Sequence, residues 1–431
     1  MVDMIYRQCN ELMFILAEAV EKGYISGDSN LLRIGSLDTS CRWTRNPSTR
    51  NSQQTRIAST IENNLQLLDM KKQSFFLFIA LSFCSFLTAQ KQVENVVLVT
   101  LDGLRWQELF GGAVDSMMTN PELTKDKEEI MAAFSADSPA VARQKLMPWM
   151  WSTVAKEGQL YGNRWLGNKV NCTNRFWFSY PGYNEILTGV SDPEIDSNAK
   201  KYNKNKTILE WFFEKPDFAG KVAAFCSWDV FPYIINDKRS GIPVNAGFQK
   251  AEDEYLTYKE QFLNDLQDQI PSPWTTVRLD AFTHNYMMEY MKKHHPKLVY
   301  ISYGETDDFA HDGRYDHYLR SAHQTDQWLQ NLWEYIQSDP YYKGKTSLVI
   351  TTDHGRGHSP IVQWKSHGTI YRGSDEIWIA AIGPNIKAKG EMKTDQRLFQ
   401  NQIAKTVAKL LGYDYTGEKE EVGDVIKSII E

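Results

Sequence analysis

The chain repeatedly runs a short apolar, β-branched stretch straight into an aspartate, and this habit constrains its fold more than any other feature. Val96-Val-Leu-Val-Thr100 leads to Leu101-Asp102-Gly103, Lys297-Leu-Val-Tyr-Ile-Ser-Tyr303 leads to Gly304-Glu-Thr-Asp307, and Thr346 to Thr352 leads to Asp353-His354-Gly355. Val96 to Thr100 is a continuous apolar run, and Thr346 to Thr352 alternates and is rich in β-branched residues; such stretches read as buried strands, the habit of parallel sheets. A parallel sheet presents ligand-binding groups at the carboxyl ends of its strands, so the three aspartates are expected along one edge.

Two further runs, Lys221 to Cys226 and Glu376 to Ile382, read as strands of the same kind. Helical periodicity marks Glu252 to Gln267, Phe282 to Lys293, Ala322 to Ser338 and Leu398 to Leu411. Strands alternating with helices predict an α/β fold. With 42% apolar residues among 431, the chain can bury a large core, so one domain over 95–429 is expected. Polar stretches around 111–148 and 239–275 read as insertions, the first passing over the active face.

The front end differs in kind. Met70-Lys-Lys-Gln-Ser-Phe-Phe-Leu-Phe-Ile-Ala-Leu-Ser-Phe-Cys-Ser-Phe-Leu-Thr-Ala-Gln90 has a basic start, an apolar run and a small residue at Ala89, the order of a secretory signal peptide. The run is short for a bilayer span, so 70–89 is expected to be a leader rather than a stable membrane anchor. Residues 1–69 then read as a non-native or disordered extension, and the mature protein as periplasmic or extracellular. The alternative is a genuine segment with a short amphipathic helix from Glu11 to Lys22.

Of the five cysteines, Cys9 and Cys41 fall in the extension and Cys84 in the leader. Cys172 and Cys226 remain, either paired after export or as two buried thiols. No CxxC pair signals a zinc ribbon. A net charge of −6 and the lack of any basic run interleaved with aromatics exclude nucleic acid as the main partner.

The chemistry-bearing residues lie where the strands end. Asp307 and His311 are four apart, so one helical turn puts them on one face. His367 stands in Trp364-Lys-Ser-His-Gly368, close behind Asp353 and His354. Ser179 precedes Tyr-Pro-Gly-Tyr183; Pro181 and Gly182 turn the chain, with a helix expected from Asn184 to Thr188. A hydroxyl near a helix N-terminus is well placed to attack phosphorus. Three Asp, three His and one hydroxyl, with no thiolate, fit zinc first and manganese second. Two ions about 4 Å apart need this many ligands.

Taken in order, Leu-Asp-Gly-Leu-Arg105, Phe-Ser-Tyr-Pro-Gly182 leading to Leu-Thr-Gly189, Glu-Thr-Asp-Asp-Phe-Ala-His311, Thr-Asp-His-Gly355 and Ser-His-Gly368 resemble the alkaline phosphatase superfamily. The nearest likeness is to its nucleotide pyrophosphatase/phosphodiesterase branch, over about residues 95–415. The resemblance implies a three-layer α/β/α sandwich with a mostly parallel central sheet. It implies two divalent ions, one held by Asp307, His311 and His367 and the other by Asp102, Asp353 and His354. Ser179 would be the nucleophile, bridging toward the second ion, and the substrate a small phosphate ester.

The departures bear on substrate. The phosphodiesterase branch usually has threonine where this chain has Ser179. Some secreted monoesterases of the group carry Lys-Asp-Arg where this chain has Trp228-Asp-Val230, so cations that would hold a monoester are missing there. Asn198, Trp228, Arg356, His358 and Lys365 are the candidate substrate contacts. A sulfatase is the alternative, because Ser179-Tyr-Pro-Gly-Tyr183 resembles the start of the Ser/Cys-x-Pro-x-Arg formylglycine signal, with Tyr183 in the place of Arg. A phosphoglycerate-mutase-like phosphotransferase shares the metal layout, but a secretory leader does not suit it.

Overall fold

A computed structural model describes residues 93–417 and 422–430. The leader at 70–89, the 1–69 extension, the helix from Glu11 to Lys22, and Cys9, Cys41 and Cys84 lie outside the described residues. Among those described, no helix is long and apolar enough to cross a membrane.

The strands are β1 (Asn95–Leu101), β2 (Gln159–Tyr161), β3 (Asn168–Asn171), β4 (Val222–Cys226), β5 (Val244–Ala246), β6 (Leu298–Tyr303), β7 (Thr346–Thr351), β8 (Glu376–Ile377), β9 (Ile379–Ile382), β10 (Gly390–Glu391) and β11 (Gln396–Phe399). Eight of them form one sheet in the order β10-β2-β9-β7-β1-β6-β4-β5. From β7 to β5 every pairing is parallel, and β9 closes antiparallel on β7. A second sheet, β11-β3-β8, lies apart from it.

Strand alternation builds the layers. Val97, Val99, Ile301 and Ile350 point into one core with Met287 and Met291 of helix α2 (Asp280–His294) and Leu319, Leu329, Leu332 and Ile336 of α4 (Tyr315–Ser338). Val96, Leu98, Tyr300 and Val349 point the other way, onto Ile186 and Leu187 of α1 (Ser179–Thr188) and Ile403 and Val407 of α5 (Gln402–Leu410). Successive side chains on a strand face opposite sides, so apolar residues at every position require a helical layer on each face. This is the expected α/β/α sandwich.

Four local expectations change. The stretch from Glu376 to Ile382 is not one strand: it splits at Trp378 into β8 and β9, which belong to different sheets. Trp378 is fully buried and its indole Nε1 donates to the Leu104 carbonyl at 2.8 Å, a pull that separates the halves. Helix α5 begins at Gln402, because Gln396–Phe399 pairs with β3 instead. Helix α4 starts at Tyr315, since Tyr315 and Tyr318 extend its buried face. Helix α1 starts at Ser179 itself, for Pro181 sits in its first turn, where a missing N–H costs nothing. The 239–275 stretch supplies edge strand β5 and a helix, Tyr258–Gln269, opened by a Thr257/Glu260 capping box. Cys172 and Cys226 are separate buried thiols.

Candidate active site

Because β1, β4, β6 and β7 run parallel, their carboxyl ends share one edge. Asp102 is the first residue past β1, Asp353 and His354 follow β7, and Asp307 stands in the first turn of α3 (Glu305–His311) after β6. Pairing of Leu101 with Tyr303 and of Thr100 with Thr351 brings these ends level. Gly103 makes the convergence possible: its φ is +60°, and a Cβ there would stand 2.8 Å from Asp307 Oδ1 and 3.3 Å from His354 Cε1. Its amide donates to Asp353 Oδ1 at 3.1 Å.

Ser179 opens α1 with its Oγ 3.4 Å from His354 Nε2. The loop before it is tied down by buried Glu185, whose carboxylate accepts from the amides of Thr173 and Asn174, both at 2.8 Å. Gly182 lets the helix lie on the backbone of Asp353: a Cβ at 182 would fall 3.0 Å from the Asp353 carbonyl carbon and closer still to its oxygen. The Asn198 side-chain oxygen accepts from the Tyr180 amide at 3.0 Å, occupying one donor that a helix start would otherwise offer an anion.

His354 Nε2 stands 3.3 Å from Asp102 Oδ1, 3.3 Å from Asp353 Oδ2 and 3.8 Å from Asp307 Oδ1. His311 Nε2 is 3.2 Å from Asp307 Oδ2 and 3.0 Å from His367 Nε2. His367 Nε2 is in turn 3.6 Å from Asp307 Oδ1, and its ring stacks on that of His354 at 3.8 Å. Burial opposes charge on His354, but Asp353 and Asp102 outweigh it and raise its pKa to about 9. Burial, followed by the charge of Asp102, pushes the Asp353 carboxyl well above the ordinary range. At Asp307 burial acts the same way, yet Arg356, His311 and His367 overcome it and hold the carboxyl well below that range.

Two buried oxygens, Asp102 Oδ1 and Asp353 Oδ2, receive no hydrogen bond. Three carboxylates and three imidazoles converging with such atoms unpaired are costly without a cation to face. Two triads, Asp102/Asp353/His354 and Asp307/His354/His367, each bring their donor atoms within 4.8 Å of one another. His354 belongs to both, whereas the resemblance implies it for one ion alone. The donor set is oxygen and imidazole nitrogen, so these side chains fit divalent cations.

The remaining candidates stand further out. Arg356 is buried, with its guanidinium on Asp307 Oδ1 and on the carbonyls of Trp364 and Lys365, so it braces the loop that leads to His367. Lys365 directs its ammonium toward Gly313. Trp228 follows β4 and packs edge-on against Phe231 with ring centroids 6.3 Å apart. His358 lines a cleft of about 460 Å3 with Trp106 and Trp165, which none of the seven central residues lines. Sequence reasoning gave no role to Gln400, whose amide donates to the Asp353 carbonyl at 2.6 Å, nor a structural one to Tyr183, whose hydroxyl donates to Asp102 Oδ2 at 2.7 Å. A signal for Tyr183 did exist, since it stands one helical turn after Ser179.

Residues 180–413, more than half of the 431, match the family model described as Sulfatase. A comparison with curated protein sequences found no match. Among solved structures, wild-type alkaline phosphatase PafA is similar at 10% identity over 79% of this chain and 99% of that one, with a TM-score of 0.50. A 2-O GAG sulfatase is similar at 12% over 79% and 74%, TM-score 0.48. A phosphonate monoester hydrolase of Agrobacterium radiobacter is similar at 12% over 78% and 77%, TM-score 0.45. At such identity the likeness to PafA is one of fold, and it agrees with the sheet described above. With the family model covering 180–413, which holds Asp307, His311, Asp353, His354 and His367 and begins one residue after Ser179, the chain belongs to the Sulfatase family, within the alkaline phosphatase superfamily of hydrolases.

Proposed function

We propose that this hydrolase cleaves small phosphoric esters with Ser179 as nucleophile and two divalent cations, diesters at least as readily as monoesters. The observation that carries this reading is Ser179 Oγ at the opening of α1, 3.4 Å from His354 Nε2, beside buried carboxylate oxygens that accept no hydrogen bond. Zinc, or second manganese, held by Asp102, Asp353 and His354 and by Asp307, His311 and His367, with His354 Nε2 within reach of both positions, would supply positive charge for phosphoryl oxygens and acidify the attacking hydroxyl and water.

The chain's own part is to deliver and restrain the reacting groups. Ser179 Oγ forms a bond to phosphorus as the ester alcohol departs; water then cleaves the phosphoseryl ester and restores the hydroxyl. Asn198 holds the helix start through the Tyr180 amide, and Gly182 keeps the helix against Asp353. Arg356 is engaged with Asp307 and two backbone carbonyls, so it braces the site. The lack of Lys and Arg at Trp228 and Val230 favours diesters, because a dianionic monoester needs more positive charge than a diester. The motif order further supports a place near the nucleotide pyrophosphatase/phosphodiesterase branch, and the Met70–Gln90 text supports export.

The family match makes sulfuric esters the second reading. Tyr183 in the Arg place of the formylglycine signal weighs against it, for an unmodified serine has no route to the hydrated aldehyde a sulfatase uses. Purified, zinc-loaded protein assayed on p-nitrophenyl phosphate, bis-p-nitrophenyl phosphate and p-nitrophenyl sulfate tests the choice. Turnover of the diester at or above the monoester, with both above the sulfate, is expected. Preference for the sulfate overturns the reading; a large monoester preference overturns its diester half.

A further inference from the structure

We propose that Tyr183 is a positioning residue whose phenol orients Asp102 for cation binding and ties that orientation to the helix carrying Ser179. The inference rests on the two-cation reading above. Tyr183 is fully buried, with its Oη 2.7 Å from Asp102 Oδ2. The Ser302 hydroxyl on β6 donates to the same phenolic oxygen at 3.2 Å. A phenol has a single proton, so with Ser302 donating to its oxygen that proton is committed to Asp102.

The consequence is a division of labour at Asp102. Oδ2 is occupied by the phenol, while Oδ1, buried and without a hydrogen bond, is left facing His354 Nε2 at 3.3 Å. One oxygen held by a neutral donor and the other free is how a carboxylate ligand is fixed in direction without losing its charge. Tyr183 lies four residues after Ser179 on α1, so Asp102 at the end of β1 takes its bearing from the nucleophile's own helix. An arginine at 183 would instead bring a permanent charge to this carboxylate.

The test uses Tyr183→Phe, which keeps the ring and its edge contact with Phe231 at 4.6 Å and removes only the hydroxyl. Zinc binding to metal-stripped full-length protein is followed by competition with a chromogenic chelator, and thermal melting is recorded in EDTA. We expect one of two zinc sites to weaken by roughly 10–100-fold, as other outer-shell partners of ligands do. The metal-free melting temperature should stay within a few degrees of wild type. Ser302→Ala should weaken the same site by less. If wild-type protein binds no zinc, the two-cation reading fails. If wild type binds two zinc ions and Tyr183→Phe binds them equally well, the role of Tyr183 is overturned while that reading stands. A Tyr183→Phe protein that melts far earlier in EDTA would make the role one of general stability, and this too overturns the inference.

Discussion

Gly182 lies against the peptide of Asp353, so close that a Cβ at 182 would stand 3.0 Å from the Asp353 carbonyl carbon. The helix that presents Ser179 and the strand end that presents a carboxylate are thus in backbone contact. Replacing a glycine within a helix by alanine usually stabilises, by up to about 1 kcal/mol through helix propensity. Here the sign should reverse, because the atom that must yield belongs to the main chain. We expect Gly182→Ala to lose on the order of 1–3 kcal/mol in denaturant unfolding. Its kcat should fall at temperatures where the protein stays folded, since helix and strand end must separate. A Gly182→Ala protein more stable than wild type would contradict the packing.

Metal content should separate the ligands by position. Asp102→Ala or Asp353→Ala should empty one site, and Asp307→Ala the other, with His354→Ala lowering both because its Nε2 belongs to both triads. Elemental analysis of purified variants against wild type checks this. A His354→Ala protein that lost one ion alone would return His354 to a single site.

Stability should carry an acid-sensitive component from outside the site. His284 in α2 has its Nδ1 2.9 Å from the Tyr303 hydroxyl and its ring stacked on Trp328. Burial, with Lys259 and Lys292 adding to it, lowers its pKa to about 3. The unfolded chain titrates this ring near its ordinary value of about 6.5, so it takes up the proton first. The contribution to stability is therefore present above about pH 6.5 and is lost as the pH falls toward the folded value. Between about pH 6 and 4, the wild type should lose roughly 1.4 kcal/mol per pH unit more than His284→Gln in urea titrations. Parallel pH profiles for the two proteins would refute it.

Much of this arrangement is legible before any coordinates. β1, β6 and β7 are short, mostly apolar and β-branched runs buried along their whole length, and such runs fit a doubly covered parallel sheet. Once they are parallel, Asp102, Asp307 and Asp353 must share an edge. The α1 boundary was harder, because Pro181 and Gly182 look like breakers until the helix is known to begin at Ser179, which places them where a first turn tolerates proline. The break at Trp378 had no local signal, and for Tyr183 the only one was its place one helical turn after Ser179, which does not name Asp102 as its partner. The Tyr183–Asp102 bond joins residues 81 positions apart across the sheet edge, and only the packing of α1 on the strands brings them together.

Ser179 bears the most direct consequence of the proposed chemistry. Its hydroxyl approaches His354 at 3.4 Å, while the carboxylates and imidazoles of the two triads come from other residues, so the cations should not depend on it. A nucleophile forms its bond chiefly in the transition state, and its removal acts on kcat rather than on ligand binding. We expect Ser179→Ala to retain both metals and to lose at least about 1,000-fold in kcat on bis-p-nitrophenyl phosphate, roughly 4 kcal/mol of transition-state stabilisation. Acid-quenched wild-type protein should carry a p-nitrophenylphosphoryl group from this diester on the peptide containing residue 179, detectable by mass spectrometry and absent from the variant. The two readouts separate the roles open to this hydroxyl. Lost turnover with lost metal would make Ser179 a ligand first, whereas near wild-type turnover would mean that water attacks phosphorus directly, with Ser179 only lining the site.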